Sequence, residues 1–406
     1  MLLLLNKEFN MGIRLKKEYI IFIAFITVFL AQLGISMYLP ALPLIAETLS
    51  AQQQDIALSF PAFLIGMAVL MLIWGGLGEK YGRKRVLSIA ILFYSLCSLA
   101  IPMVSNTEMF IFLRFLQGMG AGGMTILSRI LIKDHFSGDR LAKSLSWLSI
   151  SFVISVGIGQ FLGAVVTKLW GWQAIFFSLT ITTLVLLSLF SLIKFPEVQL
   201  TPSPLSFKLT YVTILRCKQF LLPALAGALG YGIVVTFNTN APFIFQTQLQ
   251  WNAYEYGLLG WPISMTYFLG ALIVSRYVVR KGRELIILIG LGILLFGCSV
   301  MLLGGIFYSA LLLWLPYCVA IIGQAIIYPI SMSIAIEKSP VEGGYPVALC
   351  GFIHQVMAAT IGVIASLLPS QYPWMTTILM LCLALGVVSC VLYSKSHPIR
   401  LDVDRM

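Results

Sequence analysis

Long apolar runs dominate the chain, interrupted at short intervals by clusters of charged residues, prolines and glycines. A bilayer-spanning helix needs about 20 consecutive, mainly apolar residues. On that criterion the pattern predicts twelve spans. Six lie near 19–39, 56–77, 86–104, 109–132, 144–167 and 173–193. Six more lie near 219–245, 256–279, 285–305, 309–335, 346–368 and 374–393. Between the two sets runs a polar connector with Pro196, Pro202 and Pro204. The expected organisation is an N-terminal segment 1–18, a six-helix half 19–193, a linker 194–218, a second half 219–393 and a tail 394–406. Two six-helix halves around a central connector suit a repeat-built secondary transporter. Two internal echoes support it. A proline-marked break occurs in the first helix of each half, at Leu39-Pro40-Ala41-Leu42-Pro43 and Ala241-Pro242-Phe243. A basic, glycine-containing turn follows each second helix, at Gly82-Arg83-Lys84-Arg85 and Lys281-Gly282-Arg283.

Composition sharpens this picture. Of 406 residues, 59% are hydrophobic and 10% charged, against roughly 25% charged in soluble proteins. That excludes an ordinary soluble enzyme or a disordered chain. The net charge of +11 does not require nucleic acid. With the N-terminus inside, every Lys and Arg except Arg114 and Lys168 falls on cytoplasmic segments. The positive-inside rule then puts both termini in the cytoplasm. The charges of the first 17 residues follow the apolar run, opposite to a secretory leader, and Met11 is an alternative start. The seven cysteines include no CxxC and the three histidines are far apart, so no metal site or cofactor is expected. No HExxH, GxSxG, paired carboxylate set or GxxxxGK[ST] occurs. This argues against an integral-membrane enzyme or an ATP-driven pump, and no repeated filter suggests a channel.

The acids give a negative result with consequences. None of the 15 Asp and Glu falls in the middle of a predicted span, so no carboxylate proton relay is visible. Arg114 alone enters the bilayer, about six residues into helix four. It is read either as a structural arginine bound to carbonyls and Gln117, or as a ligand for a substrate carboxylate or phosphate, which arginine grips bidentately. The second reading makes the substrate anionic or zwitterionic. His354, the only histidine in a span, is either a substitute proton carrier or a hydrogen-bonded packing residue. Gln32, Tyr38, Tyr231, Asn238, Asn240, Gln246 and Gln324 are polar residues near helix breaks that either line a cavity or bridge helices. Trp261-Pro262 reads as a kink in helix eight.

Several motifs carry a family resemblance. Gly75-Gly76-Leu77-Gly78-Glu79-Lys80-Tyr81-Gly82-Arg83-Lys84 resembles the loop signature of the major facilitator superfamily, and Arg114-Phe115-Leu116-Gln117-Gly118-Met119-Gly120-Ala121 its helix-four motif. Met37-Tyr38-Leu39-Pro40-Ala41-Leu42-Pro43 and Gly171-Trp172-Gln173-Ala174-Ile175-Phe176 resemble the bicyclomycin-resistance-type drug/proton antiporters within it. Ala241-Pro242-Phe243, Tyr328-Pro329, Gly344 and Ala348 resemble that group's second half. The resemblance implies an all-α membrane protein of twelve helices in two pseudo-symmetric halves. It implies a multi-pass, monomeric carrier in the bacterial cytoplasmic membrane that moves a small molecule by alternating access, coupled to protons or to the membrane potential. It also implies a conformational latch of Gly75, Glu79, Gly82, Arg83, Lys84 and Asp134, with Glu79 near the start of helix eleven, and close helix packing at Gly118, Gly120, Gly159 and Gly163. Two departures from the group stand out. Ser36 stands where it carries Asp before MYLP, and in its helix-five motif Gln160 replaces Pro and Ala164 the second Gly. Export of an anionic or drug-like metabolite such as a siderophore is the expectation, with uptake of a small organic acid or siderophore as the alternative. Ser36 joins the candidate binding residues and His354 is the candidate coupling residue.

Overall fold

In a computed structural model, residues 17–136, 138–192, 207–341 and 345–396 are described. The spanning helices of the first half are α1 (Lys17–Ser36), α2 (Ser59–Tyr81), α3 (Arg83–Ala100), α4 (Thr107–His135), α5 (Gly138–Trp170) and α6 (Gln173–Leu192). Those of the second half are α7 (Lys218–Phe243), α8 (Gly260–Lys281), α9 (Arg283–Phe307), α10 (Ala310–Glu337), α11 (Tyr345–Ser366) and α12 (Pro373–Ser396). Eleven are long and apolar enough to cross a bilayer. The remaining one, α5, carries a shorter apolar stretch, Ile154–Trp170. No strand occurs among the described residues. The fold is the twelve-helix, two-half membrane architecture expected from the apolar runs.

The breaks are where proline and glycine demand them. After α1, a 3-10 turn at Leu39–Ala41 holds Pro40 and the short helix Leu42–Thr48 begins around Pro43. Proline at a first helical turn loses no hydrogen bond, because the first N–H groups have no partner there. The matching feature of the second half differs. Pro242 lies inside the last turn of α7, and the chain then widens into a π-helical turn at Ile244–Gln248 rather than breaking. Pro262 sits in the first turn of α8. It therefore starts a helix and does not kink one, contrary to expectation. With Gln160 in place of proline, α5 runs uninterrupted. Gly82 and Gly282 adopt φ values of +90° and +82° between α2 and α3 and between α8 and α9, a region glycine enters at little cost.

The segment expected as the linker, 194–218, contains an element of its own. Phe207–Arg216 forms a ten-residue helix, after the three prolines of the connector. Ile214 is buried against Phe220, Ala224 and Leu349, and the Tyr211 and Tyr345 rings meet edge to face at 5.6 Å. Apolar contact, which the polar look of the segment conceals, is what orders it. Residues 193–206, the N-terminal segment to 16, Gly344 and the tail beyond 396 lie outside the described residues, and so does the Glu79 side chain.

The chain forms two compact units. One comprises the described residues of Met1–Pro204 with Asn238–Met265 and Gly362–Gln371. The other comprises those of Leu205–Phe237, Thr266–Ile361 and Tyr372–Met406. In the first, glycines set the helix spacing. A Cβ on Gly118 would strike the Phe63 carbonyl, one on Gly120 would lie 2.8 Å from the Tyr94 nitrogen, and one on Gly163 would strike the Met37 carbonyl. Without a hydrophobic driving force between helices in lipid, such close approach is a main source of association. In the second unit, Gly297 packs on Ala320 in the same manner, at 2.6 Å.

Candidate functional site

Arg114 lies on the eighth residue of α4, about 10 Å along the helix at 1.5 Å per residue. The helix is started by Asn106, whose side chain accepts from the Met109 N–H. Arg114 is completely buried. Its Nη1 donates to Gln117 one turn on, and Gln117 Nε2 donates to Ser98 Oγ at 2.7 Å. Aromatic rings from three other elements surround the guanidinium. Its central carbon is 4.0 Å from the Tyr38 ring centroid, 4.4 Å from that of Phe63 and 5.9 Å from that of Phe176. Tyr38 in turn meets Ser59 through its hydroxyl at 3.3 Å. The Phe110, Trp172 and Phe176 rings stack behind it, edge to face.

The energetics leave a deficit. Burying an ion costs several kcal/mol. A desolvated cation–π contact returns about 2 kcal/mol, so two close rings offset only part of that. Nε and Nη2 are buried and make no hydrogen bond. These two atoms form one edge of the guanidinium, the edge whose parallel N–H groups match the two oxygens of a carboxylate or phosphate. Neither ion pair among the described residues involves Arg114.

Of the other expected binding residues, only Gln117 and Tyr38 join Arg114. Ser36 donates to the Ser155 carbonyl at 2.7 Å and packs on Gly159, so it joins α1 to α5. Gln32 is buried on the same helix. Asn238 accepts from Gln160 at 3.5 Å, Asn240 donates to the Ala365 carbonyl at 3.0 Å, and Gln246 donates to the Pro40 carbonyl at 3.0 Å. These three bridge segments inside the first unit, far along the chain from one another. Gln324 is buried in the second unit against Gly230, with Oε1 unsatisfied. Phe63 and Phe176 were missed as neighbours of Arg114, and Ser98 as the acceptor for Gln117. Nothing in a single sequence pairs rings across helices, although Phe176 sits in a motif already singled out.

At the end marked by the basic turns, Arg83 meets Asp134 at 2.9 Å and donates from Nη1 to the Gly75 carbonyl at 3.0 Å. Lys84 reaches the Ser191 carbonyl at 3.4 Å. The second half repeats the arrangement, with Arg283 at the start of α9 paired to Glu337 at the end of α10. This pair was not anticipated, although the repeated Gly-Arg turn signals it. The repeat is more open, with side chains 42% and 53% exposed against 11% and 15% for the first pair.

At the opposite end of the first unit, second-half segments pack on first-half helices without any ion pair among the described residues. Gly257 lies against Ala164 and Gln160, and Phe161 stacks between Tyr254 and Trp261. Gln54 donates to the Leu367 carbonyl at 3.4 Å, and Ser370 donates to Gln53. A cavity of about 370 Å³ opens beside them, lined by carboxamides including Gln52, Asn240, Gln248 and Gln371, with no charged residue.

In the second unit, His354 is buried near the middle of α11. Its Nδ1 meets the Tyr328 hydroxyl and its Nε2 the Ala224 carbonyl, each at 3.1 Å, and Cys350 Sγ lies 3.5 Å from Nε2.

Comparison with known proteins agrees with this architecture. The family model described as Major Facilitator Superfamily matches residues 24–353. The Bicyclomycin resistance protein homolog of Haemophilus influenzae is 26% identical over 346 residues, 81% of this chain and 84% of the relative. Multidrug resistance protein MdtL of Salmonella typhimurium is 30% identical over 238 residues, 58% of this chain and 60% of its own length. Among solved structures, a bacterial homologue of the human lysosomal transporter Spinster, inward-facing and unoccupied, superposes with a TM-score of 0.74 at 11% identity, over 95% of this chain and 99% of the other. A D-xylose–proton symporter gives 0.73 at 14% identity, over 92% and 96%. At those identities the likeness is one of fold. With the family model spanning most of the chain over a twelve-helix, two-half architecture, the chain belongs to the Major Facilitator Superfamily and is a membrane transporter, not an enzyme.

Proposed function

We propose that this carrier exports a small anionic or zwitterionic molecule, a drug-like acid or a siderophore, across the bacterial cytoplasmic membrane by alternating access. Arg114 holds the acid group, with Gln117 and Tyr38 fixing the guanidinium. The carrying observation is the unpartnered Nε and Nη2 edge of a fully buried arginine with no carboxylate near it. A ligand carboxylate or phosphate meets both N–H groups at once, and Tyr38 is the ring it displaces. In this reading the basic turns and both termini face the cytoplasm, the helix division is 19–193 and 219–393, and the carrier acts as a monomer. The Arg83–Asp134 pair with Gly75, Gly82, Lys84 and Glu79 is its cytoplasmic latch.

Two considerations favour export. Both curated relatives carry resistance in their names. A cell that is negative inside drives an anion outward by about 2.3 kcal/mol per charge per 100 mV, which requires no proton-binding carboxylate. Uptake of an organic acid or siderophore is the second reading, favoured by Ser36 and Gln160, which depart from the resembled antiporters. Everted and right-side-out vesicles decide between them. With an inside-positive potential, everted vesicles should accumulate carboxyfluorescein, and those carrying Arg114→Ala should not. Accumulation of ethidium instead, unaffected by Arg114→Ala, sinks the anion reading. Accumulation confined to right-side-out vesicles turns the direction to uptake.

A further inference from the structure

The acids leave the bilayer's middle without a carboxylate, yet one histidine sits there. His354 is on the tenth residue of α11, about 14 Å along the helix, and is 2% exposed. Three elements converge on it. From α10, Tyr328 meets Nδ1 through its hydroxyl, its ring 4.9 Å from the imidazole. From α7, the Ala224 carbonyl meets Nε2, and Gly227 is so close that a Cβ there would lie 2.9 Å from Nε2. From α11 itself comes the Cys350 thiol. Tyr231 on α7 and Tyr267 on α8 lie within electrostatic reach of Tyr328. None of these groups is an Asp, Glu, Lys or Arg.

The bonding pattern suits the neutral imidazole. A carbonyl only accepts, so Nε2 carries a hydrogen toward Ala224. Nδ1 is then free to accept from the Tyr328 hydroxyl. The neutral imidazole is fully satisfied, among the apolar neighbours Ala224, Cys350 and Ile353. The imidazolium, by contrast, would donate from both nitrogens, which Tyr328 can accommodate only by rotating its hydrogen away.

We propose that His354 is the proton-binding group of this carrier and that the Tyr328 hydroxyl is its positioning partner. On protonation a hydronium ion gives its proton to Nδ1 and leaves as water. Tyr328 keeps its own hydrogen, turns it away and accepts from Nδ1–H. The described conformation holds the neutral form, so protonation favours the alternative conformation. The inference rests on the chain being a carrier and is independent of what Arg114 binds.

Two measurements on the full chain in nanodiscs, neither needing a transported molecule, test it. In 15N-histidine NMR, the signal lost in His354→Gln should titrate between pH 5 and 8, and Tyr328→Phe should move its midpoint. Spin labels at Gln52→Cys and Gln371→Cys, both exposed beside the carboxamide cavity, report whether that end is closed. The exposed or half-buried Cys217, Cys382 and Cys390 are replaced by serine and the four buried cysteines kept. The ratio of closed to open should rise with pH, by up to tenfold per unit for one linked proton. It should be flat in His354→Gln, whose amide can satisfy both partners without titrating. A histidine signal that stays neutral down to pH 5 overturns the proposal. So does a wild-type distance that ignores pH, or a pH response that survives in His354→Gln. Any of these results leaves the Arg114 reading standing, and failure of anion transport leaves these measurements unaffected.

Discussion

Nε of Arg83 lies 2.9 Å from Oδ2 of Asp134, tying the first turn of α3 to the last turn of α4, while Nη1 of the same side chain reaches back to the Gly75 carbonyl, six residues before the end of α2. One guanidinium thus joins three helices. A double-mutant cycle on Arg83→Gln and Asp134→Asn should give a coupling of about 1.5 kcal/mol, at the low end for hydrogen bonds to charged groups. The same cycle on Arg283→Gln and Glu337→Gln should give under about 0.5 kcal/mol, because exposed pairs contribute little. Thermal unfolding in detergent measures both. Equal couplings would contradict the burial argument.

Arg114→Met should leave the thermal midpoint unchanged or raise it, since replacing an incompletely paired buried charge with an apolar side chain of similar length is often neutral or stabilising. Anion transport should fall to background in the same protein. Arg114→Lys keeps the charge but not the planar edge, and should recover little of the activity. A variant that loses stability and transport together would instead mark Arg114 as structural.

Gly163→Ala should destabilise by about 1–3 kcal/mol, as overpacking does, because its Cβ meets the Met37 backbone carbonyl and not a movable side chain. Gly76→Ala is the control. Nothing lies within 4 Å of its new Cβ, and a mid-helix alanine for glycine gains up to about 1 kcal/mol. Unfolding midpoints of the two variants should therefore move in opposite directions.

Gln53→Ala with Gln54→Ala removes the links to Ser370 and the Leu367 carbonyl. Each neutral hydrogen bond contributes about 1 kcal/mol, so the open fraction read by labels at Gln52→Cys and Gln371→Cys should rise about fivefold to thirtyfold. Because no charges are involved, the shift should be the same in 0.05 M and 1 M salt.

The twelve spans could be read from apolar runs because lipid requires their length, and the basic turns because Gly82 and Gly282 occupy matching places in the two halves. The carboxamides were harder to place. Asn240 and Gln246 look alike in sequence, yet Gln246 is used on a backbone carbonyl 206 positions away, whereas Asn240 both lines the carboxamide cavity and donates to a carbonyl 125 positions away. Polar residues near a helix break satisfy either role, and only the tertiary partner distinguishes them. The aromatic enclosure of Arg114 was hidden for the same reason. Phe63 and Phe176 are ordinary apolar positions until α2 and α6 are placed beside α4. The helix at Phe207–Arg216 escaped because its few apolar contacts are diluted by a polar, proline-bearing neighbourhood.

The cavity at the carboxamide-lined end has a kinetic consequence. Under the proposed anion export, a cargo leaving by this end would meet amide dipoles and hydroxyls but no lining cation. It would find no second electrostatic well to hold it there. Affinity would then be concentrated at one buried point and shed toward the mouth, which would favour fast discharge and poor rebinding.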